Sequence, residues 1–141
     1  MTRLLSVLAL LAASIQGASA RDVPKAPQTV TVDLDRNGVM DVARVSVTEE
    51  GVRLLITLNS GPLPAVDIPA DASRQFGICP GSPPALNLVK QSETPLEALG
   101  EMPNGYKVCP TCFEIEVRGG DCDPLYFYWD TVAQKLSWWR A

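Results

Sequence analysis

Eight of the twelve prolines fall between Asn59 and Gly105, at Pro62, Pro64, Pro69, Pro80, Pro83, Pro84, Pro95 and Pro103. Each fixes φ and removes a backbone donor, so neither a long helix nor a long central strand fits in that third of the chain. Loops around short strands remain, with Ala65 to Ile68 and Leu86 to Lys90 as the strand candidates. Thr94-Pro95-Leu96-Glu97 has the form of a capping box with proline at the first helical position, and Gly100 suits a stop. A helix of one or two turns is expected there.

On both sides of this region the periodicity is two. TVTV at Thr29 to Val32 reads as a strand, and a tight polar loop interrupts it. From Val42 to Thr48 the polar set Arg44, Ser46 and Thr48 alternates with Ala43, Val45 and Val47, which gives a strand with one apolar face. Glu49-Glu50-Gly51 turns, and VRLLITL returns as the second strand of a hairpin. In the last third, Phe113, Ile115 and Val117 alternate with Glu114 and Glu116. Arg118 to Asp121 then turns, LYFYW comes back, and KLSWW follows Asp130 to Gln134 as the third strand of a meander. The expected fold is all-β, a small antiparallel sandwich or curled sheet of about seven to nine strands with disulfides and at most one short helix.

The start of the chain reads differently. Met1 to Ala20 has a basic head at Arg3, an apolar run from Leu4 to about Ile15, and the small-residue end Ala18-Ser19-Ala20. That is the pattern of a cleavable secretory signal, and the run is short of the roughly 18 apolar residues that a membrane span needs. Residues 21–28, with Pro24 and Pro27, form an extended leader, and residues 29–141 form one β domain. Removing Arg3 with the signal leaves 11 basic residues against 16 acidic ones, a net charge of −5. An acidic surface argues against nucleic acid or an anionic membrane as partner, and no membrane anchor is expected. The expected destination is the periplasm or the exterior. The chain has no histidine, which excludes a Ser or Cys triad with a His base and any His-containing zinc site within it.

Asp33, Asp35, Asn37 and Asp41 stand in the pattern D-x-D-x-N-G-x-x-D, with Gly38 after the third oxygen. Alternate residues of a tightly turning loop point inward, so their side-chain oxygens converge, and glycine takes the backbone angle that the turn needs. The Val39 carbonyl can add an oxygen and Asp41 can close the set. An all-oxygen site of flexible geometry favours calcium over magnesium. An EF-hand does not fit, because Arg44 stands where a bidentate Glu belongs and the flanks are strands. The stretch VDLDRNGVMDVARV resembles the calcium loop of FG-GAP and VCBS-type β repeats, in which ligands at the first, third, fifth and ninth positions suffice. The resemblance covers about residues 29–47 in one copy, so it implies the loop and not the adhesion roles of repeat arrays. The expected affinity is weak, on the order of 0.1 to 1 mM, as in extracellular modules. The competing reading is an Asx-rich turn without metal.

Cys79, Cys109, Cys112 and Cys122 form an even set in an exported domain, which reads as two disulfides. Three pairings exist. A Cys112–Cys122 bond is awkward if Phe113 to Val117 and Leu125 to Trp129 form a hairpin, which points Cys79 towards the C-terminal meander, at Cys122. Cys109-Pro110-Thr111-Cys112 is also a C-x-x-C, the spacing of a thiol–disulfide oxidoreductase. Such a pair sits at a helix start, and here a strand follows. A four-Cys zinc site has the ligand count but only one of the two knuckles.

Six of the nine aromatics lie in the last sixteen residues. Neighbouring aromatics on a strand point to opposite faces, one set into the core with Ile115 and Val45 and the other outward. Tyr126, Tyr128, Trp138 and Trp139 are the candidates for contact with a protein or glycan partner. Glu114, Glu116, Asp121, Asp123 and Asp130 offer carboxylates, but no spacing singles out a catalytic pair, and alternating Glu on a strand reads as a solvated face. The leading function is therefore a non-catalytic calcium-loop protein with a binding or structural role outside the cytosol. The alternatives are an oxidoreductase acting through Cys109 and Cys112, and a secreted inhibitor or surface-binding module with an aromatic face.

Overall fold

The computed structural model describes residues 29–69, 78–79 and 81–140. The expected signal and leader lie outside the described residues. Within them the chain is an antiparallel β sandwich of two sheets.

The first sheet comprises β1 (Thr29–Val32), β2 (Asp41–Thr48), β3 (Gly51–Leu58), β4 (Gly61–Pro62) and β5 (Val66–Pro69). It runs in the order β1-β2-β3-β4, with β5 also paired to β3. The second sheet is β6 (Ala85–Gln91), β7 (Cys109–Arg118), β8 (Leu125–Asp130) and β9 (Lys135–Arg140), in chain order. Between β6 and β7 lies the helix α1, Thr94–Leu99, which stops at Gly100 in the left-handed conformation. All nine strands pair antiparallel, as hairpin connections allow.

Period-two burial turns one face of each sheet into a shared core. Val52, Leu54, Ile56 and Leu58 of β3 point in, with Ala43 and Val45 of β2. They meet Leu86, Ile115, Val117, Leu125, Phe127 and Trp129 of the second sheet. Val47 continues the same alternation but is 65% exposed, because it sits near the hairpin tip at the margin of the core.

The second sheet is covered on both faces. Glu114, Ile115, Glu116 and Val117 are all buried, which corrects the reading of Glu114 and Glu116 as a solvated face. The cover is residues 92–108: Tyr106 and Met102 pack with Tyr126, Tyr128 and Trp139 into a second apolar cluster. A sheet enclosed on both sides loses the simple in-and-out alternation that sequence patterning relies on.

Candidate functional site

The polar loop links β1 to β2, whose register closes at Val32↔Asp41. Arg36 at φ 63° and Gly38 at φ 86° both adopt the left-handed conformation that curls the loop. Its amide groups turn onto its own side chains: Asn37 N donates to Asp35 Oδ1 (3.2 Å), Gly38 N to Asp33 Oδ2 (3.0 Å) and Val39 N to Asn37 Oδ1 (2.7 Å). Asn37 Nδ2 donates to Asp35 Oδ2 at 2.9 Å. Asp41 is buried at the base, where Oδ2 accepts from Leu34 N (2.8 Å) and Oδ1 from Asn59 N (3.0 Å). One carboxylate oxygen from each of Asp33, Asp35 and Asp41 lies within 4.8 Å of the others. Asp33 Oδ1 is buried and has no hydrogen-bond partner.

The loop's cation turns away from this cluster. Arg36 Nη2 donates to Oε1 of Gln91, a residue of β6 with 2% exposure. The ion pairs Arg53–Asp67 and Arg118–Glu116 lie elsewhere on the surface. Asp33, Asp35 and Asp41 are therefore brought together, and Asn37 adjoins them through Nδ2 on Asp35 while its Oδ1 accepts from Val39 N. Val39 stands on the rim, 43% exposed.

The four cysteines form two bridges, Cys79–Cys122 and Cys109–Cys112. The first joins the stretch ahead of β6 to the β7–β8 turn, beside the bridge between Ile78 and Gly119. The second closes the C-x-x-C at the start of β7. Cys109 pairs with Gln91 there, across a register shift between Lys90 and Gln91. No helix begins at Cys109, so no helix dipole acts on either sulfur. With all four sulfurs bonded to each other, none is left for zinc.

The aromatic residues divide by face. Phe127 and Trp129 enter the main core, while Tyr126 stacks on Trp139 with centroids 4.2 Å apart and Tyr128 meets Tyr106 edge-on at 5.0 Å. Tyr128 and Trp139 are buried beneath residues 92–108, and Tyr126 is half-buried. Among the four candidate contact residues, Trp138 alone is open, at 55% exposure.

Glu114, read from the sequence as part of a solvated face, stands in a different setting. It is 1% exposed and accepts a hydrogen bond from Trp139 Nε1 at 2.9 Å. Burial pushes its carboxyl up to about 7. Hydrogen bonds from Trp139 and Tyr106 pull the other way, and Glu116 adds to the rise. Burial likewise raises Tyr106, Tyr126 and Tyr128 above the usual tyrosine range. Its neighbour Glu116 is held by Asn87 Nδ2 (2.7 Å) and Arg118 (3.1 Å). Nothing local in F-E-I-E-V distinguishes the two, because Glu114 owes its state to Tyr106 and Trp139 from other elements. Neither carboxylate is open to a glycosidic substrate.

Compared with protein-family models, with curated proteins and with solved structures, the chain finds no match.

Proposed function

We propose that the protein is a small exported β domain whose first loop binds calcium, with a binding or structural role in the periplasm or extracellular space. The observation that carries this reading is the convergence of three carboxylates, one of which, Asp33, keeps a buried oxygen that has no partner. A buried acceptor left without a donor costs about 1 to 3 kcal/mol, and three like charges at such spacing also repel one another. A cation offsets both penalties at once.

The donor set fits a hard cation. Asp33, Asp35, Asn37 and Asp41 would hold it, with the Val39 carbonyl as a further oxygen. The amide contacts to Asp41 and Asn37 orient those side chains, and each accepting oxygen keeps a second lone pair. Bound calcium would neutralise the cluster and brace the β1–β2 connection. The likeness to FG-GAP and VCBS-type loops supports the same donor roles and rests on the loop residues. Two disulfides suit an oxidising compartment, in keeping with export.

Thermal unfolding with and without about 10 mM calcium tests the proposal. At an affinity of roughly 0.1 to 1 mM, saturation should add about 1.4 to 2.7 kcal/mol of stability to the wild type. Asp33→Ala and Asp35→Ala should lose that gain and behave alike in the two buffers. The Asx hydrogen bonds also suit a metal-free turn, and a wild type indifferent to calcium would establish that reading instead.

A second reading, thiol–disulfide exchange, is favoured by one observation: Cys109–Cys112 is bridged and only half-buried, with Pro110 and Thr111 exposed between its sulfurs. The strand that carries it offers no helix dipole to stabilise a thiolate, only the Thr111 hydroxyl at 3.6 Å from Cys109 Sγ, which keeps this reading second. The third, a binding module with an aromatic face, is left with Trp138 as its exposed ring.

A further inference from the structure

Residues 92–108 form a strap over the outer face of the second sheet, held by Tyr106, which hydrogen-bonds Glu114, by the close approach of Gly105 to Asp130, and by the contacts that follow. Tyr106 and Met102 pack on Tyr126, Tyr128 and Trp139. Ser92 N donates to the Tyr106 hydroxyl (3.2 Å), and the Tyr128 hydroxyl donates to the Asn104 carbonyl (2.7 Å). Apart from Pro95 and Tyr106, the strap's residues are half or fully exposed.

Glu114 lies under this cover, and no cation acts on it. The groups that face it are Tyr106 from the strap, Trp139 from β9, Glu116 from its own strand, and Tyr126 and Tyr128 from β8. Across on β6 its register partner is the apolar Val89. Arg118 is engaged by Glu116, while Arg36 acts on Tyr106 and hydrogen-bonds Gln91. The strap itself carries Glu93, Glu97 and Glu101 against Lys107, all of them exposed, and the like charge that acts on Glu114 is Glu116.

We propose that the strap is a pH-operated latch: a neutral Glu114 carboxyl keeps it closed, and loss of that proton to solvent releases it and bares Tyr126, Tyr128 and Trp139. An ionised carboxylate in a dry site without a cation is costly, and lifting the strap restores its water. The closed form holds the proton up to about pH 7, whereas an ordinary Glu releases it near 4.5. Linkage then lowers the closed-to-open ratio progressively between those two values and leaves it level above the upper one. The limit for that interval is roughly 300-fold.

Hydrogen–deuterium exchange on the full exported chain, corrected for intrinsic rates, reads the latch directly. Between pH 5 and pH 8 the protection of residues 92–108 should fall at least about tenfold and lie well below that of β2 and β3, which follow global stability. Glu114→Gln, which still accepts from Trp139 but cannot ionise, should hold the strap protected at both values. Protection of the strap that is independent of pH, an equal fall in Glu114→Gln, or a strap as well protected as β2 and β3 at pH 8 would each overturn the proposal. Should the variant not fold, carbon-13 titration of the wild-type Glu114 carboxyl decides. A midpoint near 7 that moves together with Tyr106 and Trp139 resonances supports the latch, and an ordinary carboxylate midpoint overturns it.

Discussion

Asp33 leaves one buried oxygen without a donor, whereas Glu114 has Trp139 and Tyr106 directed at it and still sits far above the ordinary carboxyl range. The first is a matter of geometry and the second of burial, and they respond to different perturbations. For Glu114 the folded value is raised above the unfolded one, so its contribution is complete below about pH 4.5 and is lost as pH rises to about 7. Chemical denaturation across that window should show stability falling by up to about 3 kcal/mol. Glu114→Gln should flatten that part of the profile. Gly105 is a second point of close approach. It has φ 70°, and a Cβ placed there would lie 1.9 Å from Asp130 Oδ1. Asp130 is itself pinned in the β8–β9 turn, where Oδ1 accepts from Val132 N (2.8 Å) and Ala133 N (2.9 Å). Gly105→Ala therefore combines a left-handed penalty with a clash against a fixed group. A loss of about 2 to 4 kcal/mol is expected by denaturant titration.

At the scale of elements, β2 and β7 were legible because apolar residues alternate with polar ones, and β3, β8 and β9 because branched or aromatic runs lie between turn residues. The two-residue β4 was not, since Gly61 and Pro62 carry no period. β7 begins at Cys109 rather than Phe113, which Pro110 argues against. The difference is that its first residues pair only with β6, through Gln91, while pairing with β8 covers Ile115 to Val117. On a stretch bonded along one side a missing N–H is tolerated. The carboxylate cluster of the first loop was legible because Asp33, Asp35 and Asp41 lie within nine residues. The strap was not, because α1 and Tyr106 are ordinary in sequence and gain meaning only against β8 and β9. The disulfides differ at this scale too. Cys79–Cys122 closes a loop with a separation of 43, and Cys109–Cys112 one of 3. Chain entropy assigns about 4 kcal/mol to the first and about 1.6 kcal/mol to the second. Paired Ser replacements measured by urea unfolding should reproduce that order. In an insulin assay the wild type should turn over no substrate, and turnover abolished by Cys109→Ser would promote the second reading above the first.

Across the whole molecule, the first sheet is drawn from residues 29–69 and the second from residues 85–140, so each layer is one unbroken stretch of chain. The shared core joins them, and the bridge from Cys79 to Cys122 starts and ends on the C-terminal side of residues 70–77. Backbone pairing within each layer is therefore local, while the main core is buried between the layers. A chain arranged in this way can be divided without cutting a sheet. Fragments ending at residue 70 and beginning at residue 78 should each be insoluble or unfolded alone, because Leu54, Ile56, Ile115 and Phe127 would face water. Mixed or co-expressed, they should reassemble noncovalently into a species with the far-ultraviolet and tryptophan spectra of the intact protein. The two layers are thus complementary halves, and joining them in one chain sets how concentrated one is in the presence of the other.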